Sequence, residues 1–106
     1  MDGNDEIVGE TRDPEGRRVV LLARIWGGKI LCTHGEIGVF LEDVLRAVAT
    51  PDHVEHDLRP DRMHCFARNI GPSNWLRVVV SYEEIPALII TAHGHRKDPP
   101  QWNAST

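Results

Sequence analysis

Apolar and polar residues alternate along three adjoining segments in the second half of the chain, residues 63–68, 76–82 and 88–93. Because side chains alternate across a strand, this period of two predicts three strands that share an apolar face and a mixed face. The apolar face would carry Met63, Cys65, Ala67, Leu76, Val78, Val80, Leu88, Ile90 and Ala92. The mixed face would carry His64, Phe66, Arg68, Arg77, Val79, Ser81, Ile89, Thr91 and His93. Such a sheet can pack helices on one side and bind a polar ligand on the other.

Further elements follow from the same kind of pattern. Residues 40–48 have apolar positions at helical spacing, which predicts an amphipathic helix. This helix should end before Pro51, because the residue before a proline avoids helical angles. Within residues 18–25, the apolar run over residues 19–22 predicts a short buried strand, and residues 53–57 predict another short strand. The proline and glycine within residues 13–16 predict a turn ahead of the first of these strands.

Residues 26–34 give two conflicting signals. A Gly27-Gly28 pair between apolar residues is typical of a hairpin. Two glycines inside a helix would also cost about 1 kcal/mol each relative to alanine. The family resemblance described below favours a helix over these residues instead, and we expect the helix.

Length and composition indicate one ordinary globular domain of 106 residues. The polar, acidic N-terminus is the reverse of a secretory signal, and no apolar run approaches the roughly 20 residues of a membrane span. We therefore expect a cytoplasmic protein that does not associate with membranes. Cys32 and Cys65 lack a CxxC spacing, so we expect them to be reduced thiols.

The net charge of −4 argues at face value against a nucleic-acid-binding protein. The charge is unevenly distributed, however, because residues 1–15 hold six acids and one base, whereas residues 16–106 hold ten acids and eleven bases. We expect an acidic flexible tail over residues 1–12, a folded domain over residues 13–97 and a second tail over residues 98–106. Charge alone leaves the partner undecided.

Several short motifs follow one another along the folded part of the chain. They are Asp13-Pro14-Glu15-Gly16-Arg17, Trp26, Ile30-Leu31, His34-Gly35-Glu36, Pro51-Asp52-His53-Val54, Arg68, Gly71-Pro72-Ser73, Trp75-Leu76-Arg77-Val78-Val79-Val80 and Thr91-Ala92. In this order and spacing, over residues 12–96, the chain resembles small bacterial and phage-associated members of the barnase–EndoU–colicin–RelE (BECR) nuclease superfamily.

The resemblance implies an α+β fold in which an N-terminal strand and two helices pack on a four-stranded antiparallel sheet. It also implies a metal-independent, cofactor-free ribonuclease with toxin-like biology, whose partners are RNA and a small antitoxin protein. Two positions depart from the family pattern, because Lys29 and Gly35 stand where relatives often have His and Pro. The alternative is therefore a catalytically degenerate BECR-fold protein that acts as a binding or interaction module.

Metal-free RNA cleavage needs a base for the 2′-hydroxyl proton, a cation for the phosphate and an acid for the leaving oxygen. We expect His34 to be the base, because imidazole titrates near neutral pH. Arg68 is the expected phosphate clamp, Thr91 would supply a hydroxyl, and His93 would act as the acid or contact the phosphate. The expected substrate-binding residues are Lys29, Arg77, Arg96 and Lys97.

A metal site is the remaining alternative, because His93 and His95 would lie on one face of an extended strand. A zinc-dependent hydrolase could be built on this pair. A structural zinc needs four ligands and a catalytic zinc typically three, and the sequence supplies no clear third ligand. We therefore expect no metal.

Overall fold

A computed structural model of the chain describes residues 6–27, 41–69, 74–95, 97–100 and 102. In chain order its elements are β1 (Ile7–Arg12), β2 (Arg18–Leu22), α1 (Ala23–Ile25), α2 (Leu41–Ala49), β3 (His53–His56), β4 (Arg62–Arg68), β5 (Trp75–Ser81) and β6 (Ala87–His95). The chain therefore has the expected α+β class. Neither of the two helices in these ranges is long and apolar enough to cross a membrane.

All six strands belong to one mixed sheet in the order β1-β2-β6-β5-β4-β3. Neighbouring strands run antiparallel, except that β2 pairs in parallel with β6 through Val19–Ala87 and Val20–Leu88. The sheet thus differs from the expected four-stranded antiparallel one. The difference arises because β1 and β2 form a hairpin that adds to the edge of β6.

A tight turn explains why residues 7–12 form a strand rather than part of the expected acidic tail. The Gly16 N–H donates to the Asp13 carbonyl (2.9 Å), and the Asp13 N–H donates to the Arg17 carbonyl (3.0 Å). Gly16 has a φ of +84°, in the left-handed region that glycine adopts without steric cost. The chain is thereby turned back on itself, and an Arg18–Glu10 ion pair of 2.8 Å links the two strands.

The core lies between α2 and one face of the sheet. The helix buries Val44, Ala47 and Val48, which are spaced to lie on one side of an α-helix. The sheet residues of the same core are Val19, Leu21, Cys65, Ala67, Leu76, Val78, Val80, Ala87, Ile89 and Ala92. The predicted apolar face is therefore confirmed on β5, for the two buried members on β4 and for Ala92 on β6, whereas the first half of β6 differs.

A β-bulge in β6 accounts for that difference. Val79 pairs with Thr91, and the next residue, Val80, pairs with Ile89, so Ile90 is one residue too many for the partner strand. An extra residue reverses the inward and outward positions on either side of it. Ile89 is therefore buried in the core, only 1% exposed, although simple alternation predicted Leu88 and Ile90 there.

The short strand predicted over residues 19–22 is confirmed as part of β2, which ends at Leu22, where the chain enters α1. The Ala23 N–H donates to the Glu6 carbonyl (2.8 Å), and Trp26 still has helical angles (φ −62°, ψ −52°). Beyond Gly27, the segment for which a helix was preferred to a hairpin lies outside the described residues.

The C-terminal segment, residues 97–100 and 102, packs on the sheet. The Trp75 Nε1–H donates to Asp98 Oδ1 (3.1 Å), and Pro99 is buried. The Trp102 ring contacts the rings of Trp75 and His53 edge to face, with centroids 5.0 and 5.6 Å apart. Indole offers a large apolar surface, and these aromatic contacts hold the segment on the side of the sheet opposite α2.

Candidate functional site

The face of the sheet away from α2, here called the distal face, carries most of the polar strand residues. By register it holds His53, Glu55, Arg62, His64, Phe66, Arg68, Trp75, Arg77, Val79, Ser81, Leu88, Thr91 and His93. Arg77 lies on the central β5, directly opposite Phe66 of β4 and His93 of β6. The cationic Arg77 is thus flanked by two strands, β4 and β6, each of which carries a histidine on the distal face.

A carboxylate holds the imidazole of His64. His64 Nε2 lies 2.7 Å from Asp57 Oδ1, and the second carboxylate oxygen accepts the Arg59 N–H at 3.0 Å. The Arg59 N–H and the His64 ring keep the pKa of Asp57 below its ordinary value. Because an ionised carboxylate can only accept hydrogen bonds, Nε2 donates the proton and Nδ1 carries the lone pair of neutral His64. Asp57 therefore fixes the tautomer and orientation of the ring.

Arg77 places its guanidinium beside this pair. Its Nη2 lies 3.5 Å from His64 Nε2. Because Nε2 donates its proton to Asp57 and a guanidinium can only donate, this contact brings the charge of Arg77 close without a hydrogen bond. Its Nε is buried and has no hydrogen-bond partner among the described residues. A buried donor without a partner costs free energy, so this guanidinium is well placed to bind an anion.

A pocket of about 280 Å³ gives access to the pair. It is lined by Glu55, His56, Asp57, Leu58, His64, Phe66, Arg77 and Pro100. The His64 side chain is 12% exposed and that of Asp57 is 24% exposed. The imidazole is therefore shielded from bulk solvent but reachable by a ligand that enters beside the C-terminal segment.

Of the residues predicted for the site, Arg77, Thr91 and His93 share the distal face with His64. Thr91 is opposite Val79, which is in turn opposite His64, so Thr91 lies two strands away from His64. That separation is about 10 Å at the usual strand spacing. The sheet therefore places these side chains on one surface, with Arg77 nearest the imidazole.

Arg68 also lies on the distal face, but its guanidinium has a different environment from the one expected of a phosphate clamp. Its Cζ lies 5.4 Å from the ring centroids of both Trp75 and Trp102. A guanidinium over two indole faces gains cation–π attraction and packing. Arg68 therefore binds the C-terminal segment to the sheet and is not among the residues that line the pocket at His64.

Three predicted residues, Lys29, His34 and Arg96, lie outside the described residues, as do Gly35 and Cys32. Lys97 is exposed in the C-terminal segment. The expectations for these positions stay predictions.

No group of three or more His, Cys, Asp or Glu side chains that could hold a metal ion occurs within the described ranges. Cys65 is a free, buried thiol, as predicted. Burial raises its pKa to about 11, so the thiol stays protonated at neutral pH and is a weak nucleophile.

Sequence reasoning did not identify His64 and Asp57 as a pair. His64 did stand on the predicted mixed face, which was the available signal. Asp57, however, follows β3, and its position next to His64 depends on the pairing of Glu55 with His64 across β3 and β4. That register is set by the folded sheet and is not visible in local sequence spacing.

Comparisons of the chain with protein-family models, with curated proteins and with solved structures found no match. The BECR resemblance therefore rests on the motifs of the sequence alone. The chemistry of the distal face has to be argued from its own geometry.

Proposed function

We propose that the distal face binds RNA and that the protein is a metal-independent endoribonuclease. The observation that carries the proposal is the His64–Asp57 pair with Arg77 beside it in a pocket. An oriented imidazole next to a guanidinium supplies a group that transfers protons and a cation for a phosphate, which are the main requirements of this reaction. A toxin-like role and an antitoxin partner follow only from the BECR resemblance.

The proposal assigns each residue a role that fits its place in the sheet. Arg77 binds oxygens of the scissile phosphate, because its planar guanidinium suits phosphate geometry. His64 and His93 lie on the strands that flank β5, so they approach a phosphate held on Arg77 from two sides. Asp57 positions His64 through the 2.7 Å hydrogen bond.

In the proposed reaction the ribose 2′-hydroxyl gives its proton to Nδ1 of neutral His64, and the 2′-oxygen forms a bond to phosphorus. The bond between phosphorus and the 5′-oxygen breaks, and protonated His93 gives a proton to that oxygen. The products are a 2′,3′-cyclic phosphate and a free 5′-hydroxyl. Arg77 stabilises the negative charge on the phosphate during both steps.

The test is cleavage of total cellular RNA and tRNA by the purified full chain in excess EDTA. We expect discrete fragments from the wild type and a loss of about 10²- to 10⁴-fold in rate for His64→Gln, the range for a general base. Arg77→Gln should cause a comparable loss. Arg46→Gln is the control for charge, because Arg46 is exposed on α2, on the other side of the sheet. His34→Ala tests the candidate from the sequence.

Fragments that persist in His64→Gln and Arg77→Gln would contradict this site, and their loss only in His34→Ala would move the base to residue 34. If the wild type binds RNA but cuts none, with or without ribosomes, the degenerate binding module replaces the enzyme.

A further inference from the structure

A second pocket, of about 230 Å³, opens near the other end of the distal face. The guanidinium-bearing residues Arg24 and Arg62 line it together with apolar side chains that include Leu88 and Ile90. Arg62 is opposite Ser81, and Ser81 is opposite Leu88, so these three residues share the distal face. The pocket therefore combines positive charge with apolar surface, as the phosphate and the base of a nucleotide require.

The Arg62 guanidinium has an unmet hydrogen-bonding requirement. Its Nε is buried and has no hydrogen-bond partner among the described residues. In the part of the chain that the structure describes, no carboxylate lies within ion-pair distance of the Arg62 guanidinium. The charge of Asp57 interacts with Arg62 only at longer range. A partly buried cation without a partner is costly unless an anion pairs with it.

Arg62 and Arg77 lie on opposite sides of His64 along the sheet. Arg62 precedes His64 by two residues on β4, and Arg77 is opposite Phe66, two residues after His64. The two arginines are therefore separated by four residues along the strand direction, about 13 Å. Buried Nε atoms without partners thus occur on both sides of the proposed catalytic imidazole.

We propose that the Arg62 pocket is a second nucleotide subsite, which binds a further phosphate of the same RNA strand that Arg77 holds at the scissile position. The strand runs along β4, with a phosphate on Arg62 and Arg24 and a base against Leu88 and Ile90. This subsite rests on the proposed RNA binding of the distal face but not on cleavage.

The test measures binding of 2′-O-methyl oligonucleotides, which cannot be cleaved, by fluorescence anisotropy. A dinucleotide with a single phosphate occupies Arg77 only, whereas a pentanucleotide can also reach Arg62. We expect Arg62→Gln to weaken pentanucleotide binding about tenfold, the effect of one charge-assisted hydrogen bond, and to leave dinucleotide binding unchanged. Arg62→Lys should recover part of the loss, and Arg46→Gln should match the wild type.

Wild-type affinity of Arg62→Gln for the pentanucleotide would overturn the subsite, provided that its urea unfolding midpoint matches that of Arg46→Gln. If that midpoint is lowered, the Arg62→Lys variant decides the question. An Arg62→Lys protein that has the wild-type unfolding midpoint but binds the pentanucleotide no more tightly than the dinucleotide would equally overturn the subsite. Absence of binding to either oligonucleotide by the wild type would overturn both proposals. Length-dependent binding through Arg62 without cleavage of unmodified RNA would retain the subsite and refute the nuclease.

Discussion

The carboxylate of Asp13 is buried and accepts four hydrogen bonds. Its side chain is 3% exposed and accepts the Glu15 and Arg17 N–H groups, the Arg17 guanidinium and the Tyr82 hydroxyl at 2.6–3.0 Å. Arg17 in turn lies 4.0 Å over the Tyr82 ring. These bonds join the β1–β2 turn to the residue that follows β5, so we assign Asp13 a structural role.

Asp13→Asn should destabilise the fold by about 2 kcal/mol or more, because hydrogen bonds to a charged group contribute roughly 1.5–3 kcal/mol. The amide keeps the size of the side chain but places an NH₂ group among donors. Urea unfolding measures the change. Glu15→Gln is the control, because the Glu15 side chain is 72% exposed, and it should stay within about 0.5 kcal/mol of the wild type. Equal stabilities for the two variants would contradict this role.

The environment of Asp13 also predicts how the free energy of unfolding depends on pH. Burial acts to raise the pKa of Asp13, but the Arg17 N–H, the Tyr82 hydroxyl and the Arg17 guanidinium hold it below its ordinary value of 3.8. A carboxyl whose pKa is lowered on folding stabilises the protein above its unfolded pKa, and this stabilisation is lost as the pH falls through the folded pKa.

We therefore expect the free energy of unfolding of the wild type to fall steeply below about pH 4, the range in which the unfolded Asp13 becomes protonated. Asp13→Asn should show a shallower fall, because the variant has no carboxyl at this position. Urea titrations between pH 7 and pH 2.5 compare the two proteins. Parallel curves would show that Asp13 keeps an ordinary pKa in the folded state.

At the scale of the elements, β6 shows which structural features local sequence patterns predict and which they do not. Alternation predicted the positions of β4, β5 and β6, because a half-buried strand needs a period of two. It could not reveal the bulge at Ile90, since the run Leu88–Ile90 is apolar at every position and fits either register. Strand β1 was missed for a related reason: only its first two residues, Ile7 and Val8, are apolar, so no alternation is visible. Its pairing with β2 depends on the Asp13–Gly16 turn.

Because of the bulge, two neighbouring isoleucines differ in burial: Ile89 lies in the core and Ile90 is half-buried. Ile89→Ala should cost about 2–4 kcal/mol, because it removes methyl groups from a packed core and leaves a cavity. Ile90→Ala, at a half-buried position, should cost clearly less. The same two substitutions would have the opposite order in an unbulged strand, so urea unfolding of the pair tests the register directly.

The candidate site is a property of the whole molecule, because its parts come from distant segments. Asp57 follows β3, His64 and Arg77 belong to β4 and β5, and Pro100 comes from the C-terminal segment. The alternation of apolar and polar residues predicted a mixed face with Arg77, Thr91 and His93 on it. This pattern could not predict that Arg68 packs between two indoles, because Trp102 reaches Trp75 only after the chain has folded back on the sheet.

The charge of the whole molecule limits how the proposed RNA binding can work. With a net charge of −4, the protein lacks a broad positive field, so affinity has to come from a few local contacts. Two phosphate contacts, at Arg77 and Arg62, give a slope of log K against log salt of about −1.4 for single-stranded RNA. Arg62→Gln should reduce the slope by about 0.7, whereas Arg46→Gln should leave it unchanged. A steep slope common to all three proteins would place RNA on some other surface. A shallow slope that changes only in Arg62→Gln would show that the partly buried Arg62 guanidinium holds a phosphate of the bound RNA on an acidic protein.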